Sequence, residues 1–222
     1  MKNGEFKKHK ITIPEGYTAI EIAEFLQQKK LADKDKFLKL INDEKILRKY
    51  RIEANSLEGY LFPDTYLFFK GITEEKIIIN MLNRFFTIFN ADYEKKTREA
   101  GLTRHEVIIL ASIVEKEAIK DNERAIIAAV FLNRLKKHMR LESCATVQYA
   151  LKKHKDRLWE EDLKVESPYN TYLYHGLPKG PISSPGKASI LAVLYPDNVK
   201  YLYFVSRNDG THEFSNTFRE HV

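Results

Sequence analysis

The 222-residue chain holds a single cysteine, Cys144, so it can form no internal disulfide and offers no thiolate cluster to a metal. Its seven histidines are scattered, with no His-x-x-x-His or Cys-x-x-Cys pair. The ligand spacing of a metal site is therefore missing, and neither a metal nor another cofactor is expected. Gly176, Gly180 and Gly186 stand among prolines without a following helix start in the register of a phosphate loop, which argues against nucleotide binding. No run approaches the roughly 18 apolar residues of a membrane span, and no signal-peptide pattern precedes Ile11. Cys144 and Ser112 are candidate nucleophiles, but neither has a histidine nearby in sequence, and a small buried thiol is the simpler reading of Cys144.

What is present is a globular composition, 43% hydrophobic and 31% charged, enough for a medium domain with a small companion. The net charge of +6 comes from 37 basic and 31 acidic side chains, with lysines in short groups (Lys7, Lys8, Lys10; Lys136, Lys137; Lys152, Lys153, Lys155). Without a nucleic-acid motif beside them these read as solvated faces, and no nucleic-acid partner is expected. The first ten residues lead straight into a strand, as in a piece cut from a longer chain.

The periodicity predicts a strand at Lys10 to Ile13, a Pro-Glu-Gly turn, a helix capped near Thr18 and another from Asp33. In "SLEGYLFPDTYLF", Gly59 and Pro63 oppose a regular helix while the aromatics favour burial. Helices are predicted from Thr73 to Asn90, from Asp92 to Ala100, from about Arg104, and from Asn122 to His138. A long Pro-, Gly- and Ser-rich loop follows Ser167, and two alternating segments around Asn208-Asp209-Gly210 predict a hairpin. Central helices with a small N-terminal βα module and a closing hairpin predict an α+β fold with a boundary near Tyr50.

The helix opening at Thr103, with Glu106 three residues on, forms a capping box. It is mostly apolar yet contains Glu115 and Glu117. On a wheel, Ile108, Ala111, Ser112, Ala118 and Ile119 fall within roughly 60° of Glu115. Glu117 falls with Glu106, Lys116, Lys120 and Asp121 in a sector that water can solvate. This predicts an apolar setting for Glu115, which raises a carboxyl pKa as a general acid requires, or else an ion pair with a core arginine such as Arg134. Polar groups in loops that could converge beside it are Asn133, Thr146, Gln148, Tyr169, Asn170 and Tyr172. Amides, hydroxyls and phenols of this kind suit an oligosaccharide cleft.

Four ordered segments, "LEGYLFPDTYLF", "LASIVEKEA", "VFLNRLKKHMRLESCATVQYAL", and "SPYNTYLYHGLPKGPISSPGKASILAVLYP" with its closing "YLYFVSRNDGTHEFSNT", resemble the endolytic murein transglycosylases, a YceG-like family. The resemblance runs from Ile11 nearly to the end. It implies a lytic transglycosylase that cuts peptidoglycan glycan strands between N-acetylmuramic acid and N-acetylglucosamine, leaving 1,6-anhydro ends. It places a single essential carboxyl, general acid and then base, at Glu115 and the Tyr-Asn pair of the cleft at Tyr169 and Asn170, and His212 joins the substrate-binding candidates. Residues 1–50 are then the end of a LysM-like module and residues 51–222 the catalytic domain. The implied setting is the extracytoplasmic side of the inner membrane, reached through a single-pass anchor upstream of this chain, with peptidoglycan synthases as protein partners. Many relatives carry Asp-Pro where this chain has Cys144-Ala145. The competing readings are a lysozyme-like hydrolase, a non-catalytic glycan-binding module or scaffold, and a nucleic-acid binder.

Overall fold

A computed structural model describes residues 8–153, 155 and 157–221; Met1 to Lys7 of the expected N-terminal module lie outside them. Strand β1 (Lys8–Thr12) is followed, after the turn at Gly16, by helices α1 (Ala19–Gln28) and α2 (Lys34–Ile41). Thr18 and Glu21 cap α1 reciprocally, and the Asp33 side chain caps α2. A short α3 (Glu44–Lys49) follows. Strand β2 (Thr65–Phe69) pairs antiparallel with β1, from Lys8 opposite Phe69 to Thr12 opposite Thr65. Its alternation turns Tyr66 and Phe68 inward.

This pairing joins chain on either side of residue 50, and one continuous core runs from Ile11 and Leu26 through Leu57 and Tyr60 to Ile108 and Ile190. Packing therefore does not break at the boundary expected near Tyr50. Gly59 sits where this part meets the Pro-rich loop. Its φ is +84°, and a Cβ there would stand 2.5 Å from Pro181 Cβ, so only glycine lets the two backbones approach.

Next come α4 (Glu74–Ile88), α5 (Ala91–Glu99), α6 (Arg104–Glu117), α7 (Arg124–Lys136), α8 (Cys144–Leu151) and α9 (Lys187–Leu194). Strands β3 (Tyr203–Ser206) and β4 (His212–Ser215) form the predicted hairpin, and α10 (Phe218–His221) ends the described chain. Two small antiparallel sheets beside a helical body make the fold α+β, as the sequence predicts.

Helix α6 is the axis of this body. Every residue from Val107 to Val114 is buried, and α5, α7, α8 and α9 all pack on it. Such a helix is apolar all round rather than along one stripe. Helix α9 was not expected inside the long loop, and Gly186 proves to be the residue preceding its first turn.

Candidate active site

The last turn of α6 sends Glu115 and Glu117 to opposite sides, as two positions about 160° apart must. Glu115 points toward α9 and α7. Its Oε1 accepts from Arg124 Nη1 at 3.1 Å, and its Oε2 accepts from the Gly186 N–H at 2.9 Å and from Ser189 Oγ at 2.8 Å. Arg124 Nη1 also donates to Ser189 Oγ at 2.6 Å, which closes the network. A carboxylate at the N-terminus of α9 is favourably placed against that helix dipole. Glu115 is thus sealed, with 6% of its side chain exposed, and both its oxygens are satisfied.

The expected isolated acid among Ile108, Ala111 and Ala118 is not what Glu115 shows, and the expected alternative partner, Arg134, is elsewhere. Arg134 donates to the carbonyls of Leu202 (2.6 Å) and Leu141 (2.9 Å) and pairs with Glu142. The arginine on Glu115 is Arg124, the first residue of α7. The N-terminal module reaches the same corner. Gly16 N–H donates to the Ser184 carbonyl at 2.8 Å, and the Glu15 carboxyl fills the space a Cβ on Gly186 would need. Burial and the neighbouring Glu115 raise the Glu15 pKa.

Glu117 does not lie in a solvated sector. It is only partly exposed, with protein packed around its carboxyl. Burial raises its pKa, against opposing contributions from the Ser143 hydroxyl, the Ala145 N–H and His212. Ser143 Oγ donates to Glu117 Oε1 at 2.5 Å. The start of α8 therefore supplies both of these donors, Ser143 just before it and Ala145 in its first turn.

Around Glu117 stand three more polar groups. Tyr172 OH lies 3.1 Å from Cys144 Sγ, and the charge of Glu117 acts on both, although burial is the main cause of their raised pKa values. Cys144 is exposed, not the buried thiol the sequence favours. His212, on β4, has its Nδ1 2.7 Å from Glu123 Oε2 and donates its backbone N–H to Glu123 Oε1 at 3.0 Å.

The remaining candidates are committed to the fold. Asn133, on α7, donates to the carbonyls of Val199 and Tyr201. Thr146 is fully buried and bonds the Ser143 carbonyl and Thr171. Gln148 clamps the backbone of Lys155 through both ends of its amide, at 2.6 and 3.0 Å. Asn170 donates to Leu163 and Val165 and accepts from the Tyr172 N–H, which shapes the loop but leaves its amide hydrogens spent. Thr146 and Gln148 also lie on α8 and not in loops. Tyr169 is half-buried, its ring 4.8 Å from that of Tyr149. Tyr149 OH in turn donates to Glu58, a buried carboxyl whose pKa burial raises to about 7 and which also accepts from the Ala19 N–H.

Sequence reasoning missed Ser143, Glu123, Arg124 and Ser189. Only Glu123 and Arg124 left a trace in the sequence, as charges inside a largely apolar stretch. Two surface hollows, one lined by Asn42 to Asn55 and one by Glu166, Pro168, Tyr174 and Lys179, include neither glutamate of α6.

The chain matches the YceG-like family over residues 1–222. It is 35% identical, over 225 residues, to a protein of Bacillus subtilis named endolytic murein transglycosylase, covering 95% of this chain and 62% of that protein. A protein of the same name from Streptococcus pneumoniae is 33% identical, with 95% and 43% covered. The crystal structure of a YceG-like protein from Listeria monocytogenes superposes with a TM-score of 0.86 at 39% identity, covering 96% of this chain and 74% of that one. The chain thus spans less than two thirds of the length of those curated relatives. Over that shared span, this chain belongs to the YceG-like family.

Proposed function

We propose that this chain carries the catalytic part of an endolytic peptidoglycan lytic transglycosylase, and that Glu117, rather than Glu115, is its acid. The observation that carries the reading is the desolvated, partly accessible Glu117 beside Ser143, Tyr172 and His212, in a chain whose relatives are named endolytic murein transglycosylases. A pKa raised by burial favours the protonated form, as general acid catalysis requires. Protonated Glu117 gives its proton to the oxygen joining N-acetylmuramic acid to N-acetylglucosamine. The C1–O bond breaks with its electron pair leaving on that oxygen, and positive charge develops on the muramic ring. The C6 hydroxyl closes on C1, gives its proton to the Glu117 carboxylate, which restores the acid, and leaves a 1,6-anhydro end without consuming water.

Hydrogen bonds from the Ser143 hydroxyl and the Ala145 N–H hold the Glu117 carboxylate formed in the first step. Tyr172 supplies a phenol at the same wall, and Tyr169 an aromatic face for a sugar ring. Glu115 holds the geometry by tying the end of α6 to α7 and α9. The substrate places the working site outside the cytoplasm. Among the described residues no helix is long and apolar enough to cross a membrane; attachment to the inner membrane through an anchor elsewhere in the whole protein is part of the same proposal.

The test is digestion of purified glycan strands, read by product mass, with the native chain, Glu117→Gln and Glu115→Gln at equal folded concentration. Anhydro-ended fragments are expected from the native chain and from folded Glu115→Gln, and none from Glu117→Gln. A folded, inactive Glu115→Gln beside an active Glu117→Gln would return the acid to Glu115. Binding without cleavage by the native chain would make it a glycan-binding module, and reducing ends alone would make it a hydrolase.

A further inference from the structure

Trp159 is the only tryptophan of the chain. It is 60% exposed and takes no part in the apolar core of the described residues. A lone exposed apolar side chain is ordinary. What sets Trp159 apart is the bracing of the turn that carries it. Its N–H donates to Asp162 Oδ2 at 2.9 Å, and its carbonyl accepts from the Asp162 N–H at 2.9 Å. Asp162 Oδ1 accepts from Lys155 Nζ at 2.5 Å, and Gln148 of α8 clamps the Lys155 backbone. From the other side the Asn170 amide holds the carbonyls of Leu163 and Val165, both at 2.9 Å. Polar anchors thus fix the backbone on both sides of Trp159, while the indole itself is left in water. A large flat side chain held in advance loses little freedom when a ligand settles on it.

Arg157 stands over the indole, its Cζ 4.5 Å from the ring centroid. With that face covered, an exposure of 60% requires the opposite face to be open. An open indole face matches the flat, apolar C–H face of a pyranose, and a guanidinium matches a carboxylate. Peptidoglycan strands offer both in series, as sugar rings and as the lactyl carboxyl of muramic acid or the carboxyls of its stem peptide. We propose that Trp159 and Arg157 form an outer subsite for the glycan strand, a role that rests on the transglycosylase reading. The indole stacks on a sugar ring away from the bond that is cut, and the guanidinium takes a carboxylate of the same strand. Helix α8 links this subsite to the acid: Ser143, just before it, donates to Glu117, and Gln148 anchors the Trp159 turn. Those two positions are about 7.5 Å apart along the helix axis, so one short helix sets the spacing between the acid and the braced turn.

Because the chain has one indole, its fluorescence reads this subsite directly. Titration of folded Glu117→Gln with purified peptide-free glycan strands should shift the Trp159 emission to a saturating value. In that background Trp159→Ala should weaken strand binding by calorimetry about tenfold, and Trp159→Phe should recover most of the loss because a flat ring remains. Arg157→Gln should weaken strand binding about threefold and leave binding of N-acetylglucosamine oligomers, which lack the lactyl carboxyl, unchanged. With Glu117 intact, Trp159→Ala should raise KM for long strands by about the same tenfold as it weakens binding.

Unchanged affinity in Trp159→Ala, or a loss in Trp159→Phe as large as in Trp159→Ala, would overturn the subsite. So would an emission that stays constant while calorimetry shows the strands binding. Each of these leaves the cleavage reading standing. A native chain that binds strands with a responsive indole but cuts nothing removes the cleavage reading and keeps the subsite. A native chain that neither binds nor cuts removes both.

Discussion

The two sides of the last turn of α6 hold the same side chain in opposite conditions. On one side Glu115 has a guanidinium, a helix N-terminus and a hydroxyl for its two oxygens, and almost no solvent. On the other, Glu117 is enclosed with a hydroxyl, a backbone N–H and an imidazole near it, forms no ion pair with an arginine or lysine among the described residues, and its pKa rises. Burial by itself therefore does not make a reactive acid. What distinguishes the two is the supply of positive charge, which compensates Glu115 and makes it part of the frame. On the proposed reading, the uncompensated partner, Glu117, is the acid.

The largest effect that would test this contrast is on turnover. Glu117→Gln should lower glycan cleavage by on the order of 10² to 10⁴, while its thermal midpoint equals or exceeds that of the native chain, since an ill-compensated buried carboxyl is removed. A marked fall in that midpoint would mean that Glu117 also belongs to the frame. On the other side, Glu115→Gln and Arg124→Gln should each destabilise by about 3 kcal/mol, because each leaves a partner buried and unpaired. Their combination should cost less than the sum, as chemical denaturation of the double variant will show; strict additivity would break the ion-pair account.

A third buried acid sharpens the comparison by its pH dependence. Glu58 is held by the Ala19 N–H and Tyr149 OH without a cationic partner, and its folded pKa of about 7 lies above the ordinary 4.5. The folded state then binds a proton more tightly than the unfolded one. The contribution is fully present below pH 4.5 and is lost as pH rises through about 7, by up to ~3 kcal/mol. Subtracting the stability curve of Glu58→Gln from that of the native chain should reveal this slope between those limits; a flat difference would contradict it. The smallest effect is expected at Cys144. Cys144→Ser keeps a hydroxyl partner for Tyr172, so activity should stay within about threefold, the range of changes that leave the acid and base in place. Complete loss with an intact fold would make the thiol a participant.

Local chemistry made much of the fold legible. Thr18, Asp33, Thr73 and Thr103 each cap the helix their sequence context predicts, because a capping side-chain oxygen and the N–H that donates to it lie within three residues. The β3–β4 hairpin was equally visible around Asn208, which adopts a φ of 61° beside Gly210. Strand β2 was not, since its partner β1 lies more than fifty residues away and its aromatic run beside Pro63 shows no clear period. Helices α8 and α9 are eight residues each, and α9 sits inside a Pro- and Gly-rich stretch that reads as loop.

At the site, the sequence alone determined that a capped, apolar helix ends with two glutamates facing opposite ways, because helical geometry fixes the angle between positions 115 and 117. It could not determine which one is compensated. The wheel assumes one apolar face and one wet face, whereas α6 is buried on all sides and has no wet face to assign. The groups that decide the chemistry arrive from other elements: Arg124, Gly186 and Ser189 from 9 to 74 residues away on one side, Ser143 26 residues away on the other. Only tertiary packing sets those distances, and the ionisation of a buried carboxyl depends on them more steeply than on anything within its own helix.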